Sequence, residues 1–227
     1  MHYLVIVALL LLLILGPQFW VTRVMAKYNR VPEKNFPGNG GELARHLLDQ
    51  FNLHQVKVEV TELGDHYDPM TLTVRLSADK HTGRTLTAIT TAAHEVGHAI
   101  QHATDDPLLR WRTRLVKFAS ASQKIGSFLL FIAPVLTLAT RAPAAGMISL
   151  LAAFLVMGMN VVVQLVTLPV EMDASFRKAL PLLKSGYLTP EQTKGAEKIL
   201  RAAALTYLSG SLAGLLNFWR WLQIMRR

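Results

Sequence analysis

The sequence predicts a mainly α membrane protein: a helical domain with a small antiparallel sheet, plus three to four hydrophobic helices. Three observations point there. Hydrophobic residues make up 51 % of the 227 positions and charged residues only 17 %, an imbalance that excludes a disordered chain. The apolar residues fall in uncharged runs, several of them close to the length of a bilayer span. Between the runs the periodicity changes from helical to alternating and back. Glycine (14) and proline (10) are at ordinary levels, which excludes a collagen-like chain. Cysteine is absent, so disulfides, zinc–thiolate sites and a cysteine nucleophile are ruled out.

Each element follows in chain order. Leu4–Gly16 carries no polar side chain, and the uncharged stretch continues to Thr22. No Lys or Arg precedes it and no small-x-small pattern follows it, so residues 1–22 read as an anchor rather than a cleaved signal. Residues 23–118 form the main extramembrane segment. Val31–Gly41, with Pro32, Pro37, Gly38, Gly40 and Gly41, reads as a linker. Glu42–Leu53 is expected to be a helix, with Leu43, Leu47, Leu48 and Phe51 on one face. Val56, Val58 and Val60 alternate with polar residues, as do Leu72, Val74 and Leu76. With the turn-rich stretch 64–69 between them, two antiparallel strands are expected. The strand over Leu72–Ser77 could also pair its edge with an extended peptide. Thr85–His102 reads as a helix. Ile125–Thr140 and Ala142–Val170 are further uncharged runs, giving two transmembrane helices within 119–170. Residues 171–201 form a smaller helical segment, broken near Ser185–Gly186 and Pro190. The last run, Ala202–Trp219, is diluted by Thr206, Ser209, Ser211 and Asn217, so 202–227 is a spanning or an interfacial helix.

Lys plus Arg is 24 and Asp plus Glu is 15, a net charge of 24 − 15 = +9. No basic residue precedes the first run, whereas Arg23, Lys27, Arg30 and Lys34 follow it. By the positive-inside rule the N-terminus lies outside, and segments 23–118 and 171–201 are cytoplasmic. This distribution accounts for most of the charge with the lipid bilayer as partner. No interleaved aromatic–basic patch suggests nucleic acid.

The chemistry centres on His94-Glu95-Val96-Gly97-His98. On a helix, positions i and i+4 share a face, so His94 and His98 can hold one metal ion. Glu95 beside them can take a proton from a water on the metal. Zinc is the expected cofactor, since it accepts imidazole and carboxylate ligands and acidifies water. The bland reading is a helix with two ordinary histidines and a nearby acid. A small residue at Gly97 suits a close approach by another backbone or a substrate. A third ligand is needed. His102, one turn on, points too far along the axis, and Asp105 and Asp106 resemble solvated caps. Glu171, directly after Pro169-Val170 at the end of an apolar run, is the better candidate.

Thr91–Gln101, Asp65-His66-Tyr67-Asp68-Pro69, Leu168-Pro169-Val170-Glu171 and Asp173-Ala174-Ser175 together resemble the YugP-like family of bacterial membrane neutral zinc metallopeptidases. The resemblance covers the chain from the first run to about Leu208. It implies a multi-pass protein of the bacterial inner membrane. It also implies one Zn2+ bound by His94, His98 and Glu171, with Glu95 as catalytic base and a peptide or protein as substrate. The architecture is also similar to the HtpX and CAAX-protease group, whose Glu ligand lies in an E-x-x-x-D motif. Here Ser175 stands where that group has Asp, and Asp173 is the candidate partner behind the ligands. His66, Tyr67, Arg177 and Tyr187 have chemistry suited to an oxyanion or substrate contact. The expected function is therefore a membrane-embedded zinc endopeptidase acting on membrane or membrane-proximal proteins. The alternative is a non-catalytic membrane scaffold or metal-dependent partner-binding protein.

Overall fold

The computed structural model describes residues 2–30, 32, 36–140, 147, 148, 151, 152 and 158–225. Parts of the Val31–Gly41 linker and of the Ala142–Val170 run lie outside these residues. The chain divides into two compact units. One comprises Met1–Leu15, Trp111–Leu168 and Tyr207–Arg227, and the other Gly16–Arg110 and Pro169–Thr206.

Helices dominate: α1 (His2–Asn29), α2 (Gly40–Gln50), α3 (Ala78–His81), α4 (Leu86–Ala103), α5 (Pro107–Thr140), α6 (Met159–Met172), α7 (Leu180–Lys184) and α8 (Pro190–Met225). A π-helical segment, Asp173–Ala179, connects α6 to α7. Among the described residues no helix is long and apolar enough to cross a membrane. This corrects the expectation of three to four hydrophobic helices. Runs of apolar letters do not coincide with helices, which also take in the charges on either side. α5 contains Arg110, Arg112, Arg114, Lys117 and Lys124, and α8 contains Glu191, Lys194, Glu197, Lys198 and Arg201. The last four turns of α1 contain Gln18, Arg23 and Lys27. Among the described residues α6 has 14, about 21 Å at helical rise.

The second unit holds the sheet and the long polar helix. α2 starts on a reciprocal cap: Asn39 Oδ1 accepts from the Glu42 backbone N–H (2.9 Å), and Glu42 Oε2 accepts from the Asn39 N–H (2.8 Å). β1 (Lys57–Val60), β2 (His66–Asp68) and β3 (Thr73–Leu76) form the sheet in the order β1-β3-β2. β1 and β3 pair in parallel, Lys57 opposite Thr73 and Val60 opposite Leu76. β2 pairs with β3 antiparallel, His66 opposite Arg75 and Asp68 opposite Thr73. The expected antiparallel pair is therefore parallel. The stretch between β1 and β3 is not all turn: β2 lies inside it, and β3 inserts between the other two strands. β3 consequently has no free edge for a peptide. Alternation marks a strand and its inward face but carries no direction.

α4 begins at Thr85, whose hydroxyl accepts from the Ala88 N–H (3.1 Å) and donates to Asn29 Oδ1 (2.6 Å). Its apolar face packs Ala92, Ala93 and Val96 into one core with Leu47 and Leu48 of α2, Val74 and Leu76 of β3, Leu183 of α7, and Ile199 and Leu200 of α8. α7 ends where Gly186 takes φ +136°, a conformation that L side chains rarely adopt. In the first unit, a Cβ at Gly210 of α8 would lie 3.3 Å from the Gln164 side chain of α6. Trp111, Phe118, Phe128 and Phe131 of α5 are exposed.

Candidate metal centre

Three donors converge between α4 and the C-terminal turn of α6. His94 and His98 stand one turn apart, their rings edge to face with centroids 4.8 Å apart. Both aim Nε2 at one oxygen: Glu171 Oε2 lies 3.1 Å from His94 Nε2 and 3.2 Å from His98 Nε2. The ligand-capable atoms of the three residues all lie within 4.8 Å of one another. Glu171 is only 3 % exposed, and His98 is buried too. Burial alone would raise the Glu171 carboxyl, but His98 and His94 against it outweigh burial and hold it far below the ordinary range.

The approach of the two helical segments depends on Gly97. A Cβ there would lie 2.7 Å from the Ala174 carbonyl oxygen, closer than two such atoms can pack. The close neighbour anticipated at Gly97 is thus the backbone of the π-helical segment. This local widening of the helix begins two residues after Glu171, and Ser175 within it faces His94 of α4.

Behind the histidines lie two groups. Ser175 Oγ is 3.1 Å from His94 Nδ1, so a hydroxyl occupies the place of the carboxylate in the E-x-x-x-D pattern. Gln101, fully buried, puts Oε1 2.9 Å from His98 Nδ1. Its Nε2 donates to the Val170 carbonyl (2.9 Å) and to Asp173 Oδ2 (2.8 Å). Asp173 touches neither histidine; it pairs with Gln101 and with the Lys178 ammonium, and Lys178 also lies 3.7 Å from Asp106. Burial would raise the Asp173 carboxyl, but Lys178 and Gln101 keep it below its usual range.

Glu95 is buried beside the donors. Burial pushes its carboxyl up to about 7, with His94 pulling it back and Glu171 and Asp65 adding to the rise. The Tyr67 backbone N–H favours its ionised form, which places β2 against the metal helix. The Tyr67 hydroxyl lies 2.9 Å from His102 Nδ1. Burial, then the Asp68 charge, push the Tyr67 phenol up to about 12. Asp65 and Asp68 brace this corner: Asp65 accepts from Ser77 N–H (2.7 Å) and pairs with Lys80 (2.7 Å), and Asp68 pairs with Arg75 (2.8 Å). His66 turns Nδ1 to the Gly64 carbonyl (2.8 Å). Arg177 points into solvent, 81 % exposed, with its Nε 3.7 Å from Asp173. Tyr187 accepts from Gln50 (3.3 Å) and lines a separate cavity of about 480 Å³ with Phe36, Leu43, Arg84 and Ile89. Glu171 and the two metal-helix histidines are not part of that cavity's lining.

The family model described as "Putative neutral zinc metallopeptidase" matches residues 3–226. The chain belongs to that family. It is also 36 % identical over 216 residues to the "Putative membrane protease YugP" of Bacillus subtilis (strain 168), a match covering 92 % of each chain. No solved structure matches the chain.

The donor cluster suits the zinc of a neutral zinc metallopeptidase. Two imidazole nitrogens and a carboxylate oxygen form a donor set that zinc accepts. Ligands bound at about 2.0–2.1 Å in a tetrahedral arrangement sit about 3.3 Å apart, close to the 3.1 Å and 3.2 Å found here. Sequence reasoning passed over Gln101 and treated Ser175 only as a departure. The signal for Gln101 was faint: a polar residue three positions after His98, on the buried side of an amphipathic helix.

Proposed function

We propose that the chain is a zinc-dependent endopeptidase in which His94, His98 and Glu171 hold one zinc ion and Glu95 is the general base. The observation that carries this reading is the convergence of His94 and His98 on Glu171, a residue 77 and 73 positions away in sequence, beside the buried carboxyl of Glu95. Zinc bound there would supply Lewis-acid polarisation of the scissile carbonyl and of the attacking water. Glu95 takes the proton from that water and delivers it to the amide nitrogen as the C–N bond breaks. Burial favours the protonated form of Glu95 and His94 beside it the ionised form, opposing influences that suit a group which takes up and releases a proton. Hydrogen bonds with Gln101, whose amide oxygen accepts from His98 Nδ1–H, and with Ser175 hold the imidazoles in orientation.

We further propose that the enzyme acts at a membrane, on membrane-proximal proteins. The B. subtilis relative, named a putative membrane protease, and the exposed apolar residues of α5 support this.

The experiment is zinc content and proteolysis of a casein-type substrate, measured on the same samples of wild type, His94→Ala and Glu171→Ala. About one zinc per wild-type chain, lost with activity in both variants, is the expected result. A zinc-free wild type would overturn the reading. Zinc without hydrolysis would favour a metal-dependent scaffold.

A further inference from the structure

We propose that Gln101 is a positioning residue that sets the protonation pattern of the His98 ring for metal binding and ties the metal helix to the segment bearing Glu171. The inference rests on the metal-site reading above and deepens it.

The argument is one of donors and acceptors. A glutamine amide offers an oxygen that only accepts and a nitrogen that only donates. The Val170 carbonyl, 2.9 Å from one end of the amide, can only accept. The amide nitrogen must therefore face Val170, where it also meets Asp173 Oδ2 at 2.8 Å. The reversed orientation would press the amide oxygen against a carbonyl and a carboxylate in a site without water access, since Gln101 has no exposed surface. With the nitrogen so committed, the oxygen faces His98 Nδ1 at 2.9 Å. An acceptor at that distance requires a proton on Nδ1. In the neutral ring Nε2 is then left with its lone pair, aimed at the Glu171 oxygen 3.2 Å away. Two lone pairs facing each other in a buried site are satisfied by a cation between them, a proton in the metal-free protein or a metal ion in the loaded one.

Ser175 does not impose the same order on His94. A hydroxyl donates or accepts as its partner requires, so the 3.1 Å contact to His94 Nδ1 fits either tautomer. Control of ring protonation therefore falls on Gln101 alone. The same side chain also spans the site mechanically. One amide bonds a ligand on α4, the carbonyl of Val170 next to the third ligand, and Asp173 two residues beyond it. Lys178 holds Asp173 in turn.

The test uses the full-length chain and zinc alone. Gln101→Met keeps the length of the side chain and removes every hydrogen bond. Gln101→Glu keeps an acceptor for His98 and removes the donor to Val170. Zinc affinity, read by chelator competition, is expected to fall 10- to 100-fold in Gln101→Met and to stay within a few-fold of wild type in Gln101→Glu. A purely structural role predicts the opposite order of zinc affinities, because Gln101→Glu sets a carboxylate against the Val170 carbonyl and Asp173 and would disturb the site more than Gln101→Met. Equal zinc affinity in wild type and Gln101→Met would overturn the proposal. A measurement on the wild type needs no folded variant: the zinc-loaded protein should show a slowly exchanging His98 Nδ1–H resonance coupled to the ring in a histidine-selective 1H–15N spectrum. A zinc-loaded His98 ligating through Nδ1, or lacking that proton, would also overturn it. Failure of the wild type to bind zinc would instead strike the metal-site reading.

Discussion

Glu95 carries two opposing demands, burial and ionisation, and each yields a prediction. Glu95→Gln removes the proposed base while leaving the three donors in place. Zinc content should match wild type, and peptide hydrolysis should fall at least 10²- to 10⁴-fold, measured as kcat on zinc-loaded samples. The second prediction concerns stability without metal. The folded protein holds the Glu95 proton up to about pH 7, whereas the ordinary value is 4.5. Folding thus takes up a proton between these values. The stability involved is intact below about pH 4.5 and is lost as pH rises through 7, a cost on the order of 3 kcal/mol by pH 8. Chelator-treated Glu95→Gln should therefore melt above chelator-treated wild type at pH 8, with the gap closing toward pH 4.5. At this scale the two histidines were legible because i, i+4 spacing is a local property of a helix. Gln101 was not, because two of its partners lie 69 and 72 positions away, and neither is implied by any spacing near His98.

α4 is held at its start by a cap and in its middle by a close contact. Thr85→Ala removes the acceptor for the Ala88 N–H and the donor to Asn29. It should cost about 1 kcal/mol, seen as a lower midpoint in denaturant titration. Gly97→Ala is a different kind of change. The added methyl would meet the Ala174 carbonyl at 2.7 Å, so the π-helical segment must move away and carry Glu171 with it. Destabilisation of about 1–3 kcal/mol is expected, together with weaker zinc binding by chelator competition. A Gly97→Ala protein that bound zinc as tightly as wild type would show that the two segments adjust independently. The helical elements around the site were readable in sequence, with ends displaced by one to three residues. The π-helical geometry was not, because it goes with the contacts that Asp173 and Ser175 make to α4 rather than with any local pattern of those residues. Strand direction was hidden for a related reason. The alternating apolar residues of β1 (Val58, Val60) and β3 (Val74, Leu76) look the same read in either direction, and β2 contributes only three residues in the stretch of chain between them.

For the whole molecule, metal and fold are linked. The two imidazoles and the carboxylate come from chain segments that meet only in the folded state, so zinc binds the native protein in preference to the unfolded chain. Stripping zinc with a chelator should lower the melting temperature, and adding it back should restore it in a concentration-dependent way. Free zinc at a hundred times its Kd corresponds to about 2.7 kcal/mol. The sequence by itself determined the chemistry available: no thiols, a histidine pair on one helical face, and a neighbouring acid. It also settled the helical character of most segments, since periodicity is a property of consecutive residues. The tertiary structure alone decided which distant groups complete the set. It brought Glu171 rather than Asp105 or Asp106 to the histidines, set Ser175 and Gln101 behind them, turned Arg177 outward, and threaded β3 between β1 and β2. It also corrected the reading of apolar runs as spanning helices, because a helix takes in the charged residues at a run's border as readily as the apolar ones. These outcomes depend on packing between segments far apart in the chain, and no local pattern encodes which surfaces meet.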